Sequence, residues 1–234
     1  MKIFIDERGI KYTNESLLKG IAAHTQFNYI GDTSSDAFSN SYLFGPISSE
    51  IIDGIWIPDS VKRNQNLGNR MPSSEFMEGC QRASAITGIP LYIYVCHGAL
   101  ESGWTNARPN KYGYGGYFGQ KTNQGGTGSA FDQACGQGIR SCFNSAMKDN
   151  HGFRGADLYV WTYLVHNAGP GGASHMLNIL GGKLRHSSPE PYYAAGNGVA
   201  QKYNWPQSSA IEKALAIPKS FYIYMQVAKK GLIS

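Results

Sequence analysis

A mainly helical α+β fold is predicted by three features of this sequence. From Ser74 onward, apolar residues return at helical spacing in one segment after another. A Gly- and Tyr-rich stretch from Gly113 to Gly128 interrupts them. It is too rich in glycine for a regular helix and reads as a structured loop or small hairpin. Residues 1–70 differ from the rest: short apolar runs sit between Ser- and Asn-rich stretches such as TSSDAFSNS, the pattern of short strands and loops. The expected organisation is a loop- and strand-rich extension over 1–70 and a helical domain with a small β region over 71–234.

Within the extension, Ile3 to Ile5 and Ile51 to Ile57 are the strand candidates, with one helix near Ser16 to His24. The polar stretch SVKRNQNLGNRMPSS, residues 60–74, marks the boundary. Ser73 or Ser74 can cap the first long helix, whose Phe76, Met77, Cys80, Ala83 and Ile86 share a face before Gly88 stops it. Pro90 opens a second helix, which carries Leu91, Tyr94, Val95, Gly98 and Ala99 on its apolar face and runs into Glu101. Helical patterns return at Ala130 to Lys148, at Ala156 to Val165 and at Gly172 to Leu180, and the stretch Ser220 to Lys230 is Tyr-rich with two closing lysines.

Composition narrows the functional classes. The chain has 234 residues, enough for one good-sized domain or a catalytic domain with a smaller attached region. Only 16% of residues are charged, while 29 Gly and 15 Tyr fill the gap. Tyrosine rings stack on the apolar faces of sugars and glycines let the chain approach them, so this composition suits a carbohydrate surface as well as a plain loop-rich one. The net charge of +5 favours polyanions such as bacterial wall polymers, but the Lys and Arg are scattered and no basic block supports nucleic-acid binding. No stretch approaches the roughly 18 apolar residues of a membrane helix. The N-terminus MKIFIDERGIKY is broken by Asp6, Glu7 and Arg8 and does not read as a signal peptide. Cys80, Cys96, Cys135 and Cys142 form no CxxC pair, so free thiols are expected, with disulfides left open for a protein working outside the cell. No metal and no cofactor are expected.

Three segments carry candidate chemistry. In GALESGW, residues 98–104, Glu101 ends an apolar helix. Desolvation there would raise its pKa and keep it protonated, which is what protonating a glycosidic oxygen requires. In YGYGGYFGQ, residues 112–120, glycines and tyrosines bring backbone groups toward a ligand and Gln120 offers an amide. In HNAGPGGA, residues 166–173, Asn167 follows a helical run and a Gly-Pro-Gly turn redirects the chain. Each alone also fits an ordinary role: a surface Glu, a hairpin, a helix cap.

Their order and spacing resemble the soluble lytic transglycosylase and goose-type lysozyme group of the lysozyme-like superfamily. That group carries an ES pair at a helix end, a Gly-rich turn ending in G-x-x-Q, and an AYNAGPG-like motif. Glu101 and Ser102 match the first; Gly116, Phe118, Gly119 and Gln120 fit the second loosely, with Tyr117 where the family has glycine; Asn167 to Gly171 match the third, with His166 in place of the usual Tyr. The likeness covers about residues 74–200.

The resemblance implies a lysozyme-like helical catalytic domain that cleaves peptidoglycan between N-acetylmuramic acid and N-acetylglucosamine. Glu101 would be the general acid and later the base. Ser102, Tyr117, Phe118, Gln120, His166 and Asn167 would bind substrate. Between Glu101 and Gln120 there is no second carboxylate, and Asp132, Asp149 and Asp157 lie farther along. A single acid fits a transglycosylase, in which the muramic acid hydroxyl attacks its own anomeric carbon; hydrolysis would need Asp132 across the site. LESGW followed by YFGQK also resembles flagellar-type β-N-acetylglucosaminidases, which cut the other bond of the same polymer. A non-enzymatic wall-binding protein of a virion is the reading from a different class. The implied partner is bacterial peptidoglycan, with other virion or secretion-system proteins meeting residues 1–70. The implied setting is a protein made in the host cytoplasm and carried to the wall by a phage particle or secretion machine.

Overall fold

The structure is a computed structural model that describes residues 3–6, 11–13, 27–29, 54–149 and 151–233. Strands β1 (Ile3–Asp6), β2 (Lys11–Thr13) and β3 (Phe27–Tyr29) form an antiparallel sheet in the order β2-β1-β3. The expected helix at Ser16 to His24 lies outside the described residues, as does the start of the expected strand at Ile51.

The rest is helical, as the sequence predicts, with one small hairpin. Helix α1 (Asp59–Asn64) and its flanks are tied to the C-terminal helix α8 (Gln207–Lys229). Leu67 N donates to Gln226 Oε1 at 2.7 Å, Gln226 Nε2 to Gln65 O at 2.8 Å, and Lys230 Nζ to Gly68 O at 2.6 Å. Trp56 N donates to His186 O at 2.8 Å, and the Trp56 ring stacks on Tyr192. The backbone of residues 65–68 is thus fastened to the C-terminal end of the helical body. Polar sequence over 60–74 reflects backbone held by side chains of α8, not a linker.

Helix α2 (Ser74–Thr87) starts where Ser73 accepts a hydrogen bond from Phe76 N at 3.1 Å and ends at Gly88, whose φ of 73° is the left-handed cap that glycine adopts without strain. Helix α3 (Leu91–Ser102) follows Pro90, and every residue from Tyr92 to Leu100 is buried. A helix apolar all round belongs in the centre of the molecule. Helices α2, α6 and α8 pack around it. Gly98 is needed because a Cβ there would run into the Phe76 ring at 2.6 Å.

Strands β4 (Tyr114–Gly115) and β5 (Gln120–Lys121) make the hairpin. The expected helix at Ala130 to Lys148 is two helices, α4 (Ala130–Ala134) and α5 (Gln137–Lys148), broken at Cys135 and Gly136. Ser129 and Asp132 form a capping box on α4, with the Asp132 carboxylate accepting from Ser129 N at 3.1 Å. Helix α6 (Gly155–Ile179) joins two segments read separately and breaks at Gly169, with φ 69° and ψ 163°. Proline at 170 cannot donate to the carbonyl one turn back, so the ladder opens. The neighbouring carbonyl of Asn167 accepts from Lys213 Nζ of α8 at 2.5 Å. Helix α7 (Glu190–Tyr203), which sequence reading passed over, packs on α6 and α8. Cys80, Cys96, Cys135 and Cys142 are all free thiols. No helix among the described residues is long and apolar enough to cross a membrane.

Candidate functional site

The three sequence segments converge on one carboxyl group. Glu101 sits in the last turn of α3, followed by Gly103 in the left-handed conformation at φ 60°, which ends the helix just beyond it. From α6, Tyr163 donates its hydroxyl to Glu101 Oε1 at 2.7 Å, and His166 Nε2 stands 3.6 Å from the same oxygen. From the hairpin, Gly119 packs so closely that a Cβ on it would collide with Glu101 Oε2. Ser102 clamps the same corner: its hydroxyl lies 2.8 Å from Tyr117 O and 3.0 Å from Gly98 O. About a fifth of the Glu101 side chain stays exposed, 21%, so a ligand can still reach it.

A second sphere orients the pair. Cys142 Sγ of α5 lies 3.7 Å from His166 Nδ1, so one imidazole nitrogen faces the thiol and the other the carboxylate. His97, one helical turn before Glu101, is fully buried, and its ring packs edge-on against His166 with centroids 4.6 Å apart. Neither His97 nitrogen finds a hydrogen-bond partner. The Phe118 backbone lies near enough to favour the charged ring weakly, without a bond of ordinary geometry.

The protonation of Glu101 differs from the sequence expectation. Burial raises its pKa, but the His166 imidazole and the Tyr163 hydroxyl outweigh burial and hold it below the ordinary carboxylate value. His166 shows the mirror effect. Burial lowers its pKa, while the Cys142 thiol and the Glu101 carboxylate raise it to about 9. Burial, aided by the charge of His166, pushes His97 down to about 3, so above that pH His97 is neutral and lends no charge to Glu101. Near neutral pH the pair is therefore an imidazolium beside a carboxylate. The proton expected on Glu101 rests on its neighbour.

Four residues expected to bind substrate have other work. Gln120 is 2% exposed and spends its whole amide on structure: Nε2 donates to Gln133 O at 3.0 Å and Oε1 accepts from Ile139 N at 3.0 Å. Phe118 is fully buried against Phe76 and Tyr94. Tyr117 is buried with its hydroxyl on Glu75 Oε2 at 2.6 Å. Ser102 is half-buried and holds the hairpin, so it positions Glu101 through the backbone. None of the first three has surface to offer a sugar. His166 and Asn167 are half-buried on α6, and His166 alone of the six reaches Glu101 directly.

Two of the other candidate carboxylates are committed elsewhere. Asp132 caps α4, and Asp157 is held by Arg185 at 2.6 Å and 3.0 Å. The exposed Glu212 of α8 is close enough to Tyr163 to help raise its pKa. It is the acidic neighbour that sequence order did not suggest.

Sequence reading also missed His97, Tyr163 and Cys142. For two of them a signal existed. His97 precedes Glu101 by one helical turn, and Tyr163 precedes His166 by three residues, spacings that put each pair on one helix face. Cys142 carried none.

The orphaned ring of His97 has a measurable consequence. The folded protein keeps it neutral down to about pH 3, while an unfolded chain takes up the proton at about 6.5. Its folded pKa is depressed, so stability is fully present above about pH 6.5 and falls as pH drops below it. Glu101 on its own helix, His166 and Tyr163 on α6, and Phe118 of the hairpin are the groups that face it. His97→Leu should be more stable than wild type by about 1–3 kcal/mol at pH 7, because two unsatisfied buried nitrogens are removed. The gap should widen at pH 5. Denaturant unfolding of both proteins in the presence of a chelator at the two pH values checks it.

No protein-family model matches the chain, and no curated protein and no solved structure matches it either.

Proposed function

We propose that the protein cleaves the glycan strands of peptidoglycan by lytic transglycosylation, with Glu101 moving the proton. The observation that carries this reading is the convergence just described. The helix-end ES pair, the glycine turn of the hairpin and the helix preceding the NAGPG break meet at one largely buried carboxyl. These are the three segments by which the sequence resembles the soluble lytic transglycosylase and goose-type lysozyme group.

The His166–Glu101 pair holds one proton between two sites 3.6 Å apart. When a sugar covers the carboxylate, water is excluded and the charge-separated form is disfavoured. The proton then passes from His166 to Glu101 and on to the glycosidic oxygen as its bond to the anomeric carbon breaks. The muramic acid 6-hydroxyl attacks that carbon and returns its own proton to Glu101, closing a 1,6-anhydro ring. No water is consumed and one acid suffices. The capping role of Asp132 and the ion pair of Asp157 favour this route over hydrolysis, which ordinarily uses a second carboxylate. A hydrolytic product would point to Glu212 as the second acid. The reading extends to setting: a wall-degrading protein carried by a phage particle or a secretion machine.

Purified bacterial sacculi incubated with the protein should lose turbidity at pH 5–8. Binding to sacculi with no clearing anywhere in that range would instead support a non-enzymatic wall-binding protein.

A further inference from the structure

His97, Glu101 and His166 form a donor set that the glycan-cleaving reading does not explain. Each offers one ligand atom, and the three atoms lie within 4.8 Å of one another. His166 Nε2 and Glu101 Oε1 are already 3.6 Å apart. Ligands in a tetrahedral zinc site are about 3.4 Å from each other at bond lengths of about 2.1 Å. Side-chain rotations of about an ångström would therefore close the set on an ion.

The strongest pointer is His97. It is fully buried, both nitrogens lack hydrogen bonds, and an unsatisfied buried polar ring calls for an explanation. Nothing in the packing demands histidine there, since its surroundings are Phe118, Tyr163 and the His166 ring. Glu101 lies one turn later on the same helix, so the two project to one side.

The second shell fits a metal for two of the three ligands, His166 and Glu101. A metal-bound histidine ordinarily presents its other nitrogen to an acceptor, and a ligating carboxylate is ordinarily hydrogen-bonded in turn. His166 Nδ1 faces Cys142 Sγ at 3.7 Å, and Glu101 accepts from Tyr163 at 2.7 Å.

We propose that His97, Glu101 and His166 bind a divalent transition metal of zinc type, with Cys142 and Tyr163 as outer-shell supports. Two imidazoles and one carboxylate suit such an ion better than magnesium or calcium, which prefer oxygen alone. Three protein ligands leave a coordination position for water or a ligand. An ion held by His166 and Glu101 takes the place of the proton the two share, so metal binding and proton transfer exclude each other. The site stands whether or not Glu101 cleaves a glycosidic bond, and its test does not use wall clearing.

The full chain, stripped with chelator, is titrated with Zn²⁺ by calorimetry, and Co²⁺ is substituted to report coordination. One ion per chain is expected. His166→Ala and Glu101→Gln should each weaken Zn²⁺ binding by at least about 100-fold, with circular dichroism unchanged. The Co²⁺ protein should show a low-coordinate ligand-field spectrum without a thiolate charge-transfer band. Absence of 1:1 Zn²⁺ binding, wild-type affinity in either variant, or a strong thiolate band would each overturn the proposal. The spectrum is read on the wild-type protein, so it decides even if a variant misfolds.

Discussion

Glu101→Gln is expected to bind sacculi as the wild-type protein does and to clear them about 10²–10⁴-fold more slowly, the usual worth of a general acid–base group. The amide has the shape of the carboxyl and can still accept from the Tyr163 hydroxyl that holds Glu101 at 2.7 Å. It cannot carry a proton between His166 and a glycosidic oxygen. Gln gives up the ion pair with His166, so some stability should be lost with it, and the comparison is made on variant protein shown to be folded by circular dichroism. Sedimentation of protein with sacculi reports binding, and turbidity reports clearing. Wild-type clearing by the variant would remove Glu101 from the chemistry.

Gly119→Ala should damage activity far more than stability. Gly119 has φ 61°, where an L-residue is strained by about 1–2 kcal/mol, and the new methyl would collide with the Glu101 carboxylate. The carboxyl must then leave its seat beside Tyr163 and His166. Displacement of a reacting group by an ångström costs on the order of 10²-fold in rate. Gly113→Ala is the matched control: its φ is 79°, yet only Thr122 Oγ1 lies near the added methyl, at 3.9 Å. It should lose similar stability and keep its activity. Thermal melts and clearing rates of the two variants, compared side by side, separate backbone strain from displacement of Glu101.

Local rules made much of the helical body legible. Ser73 and Gly88 bound α2 because a capping hydroxyl and a left-handed glycine act within a few residues of chain. The apolar face of α3 and the break at Gly169 were readable for the same reason, though not that α3 is buried all round. What escaped depends on partners far along the chain. An amide such as that of Gln120 serves a ligand or the protein interior according to what packs over it, and here Gln133 and Ile139 do. The charge of Glu101 escaped too. Its helix-end position suggested desolvation, which is the largest single influence, but it is outweighed by partners together, chief among them a histidine sixty-five residues away in sequence and 3.6 Å away in space. His97 was passed over because a histidine on an apolar helix reads as one more core residue.

Residues 60–74 illustrate the same limit. Their polar composition resembles a linker, yet Leu67, Gln65 and Gly68 are fastened by Gln226 and Lys230 from the far end of the chain. Composition reports what a segment can do in water and not which distant side chain will meet it.

Mass spectrometry of the soluble fragments released from purified sacculi decides whether Glu101 drives transglycosylation. Glycan ends should carry 1,6-anhydro-muramic acid, lighter by one water than hydrolysed ends, and should disappear with Glu101→Gln. Fragments ending in reducing N-acetylglucosamine, or anhydro ends produced undiminished by the glutamine variant, would contradict it.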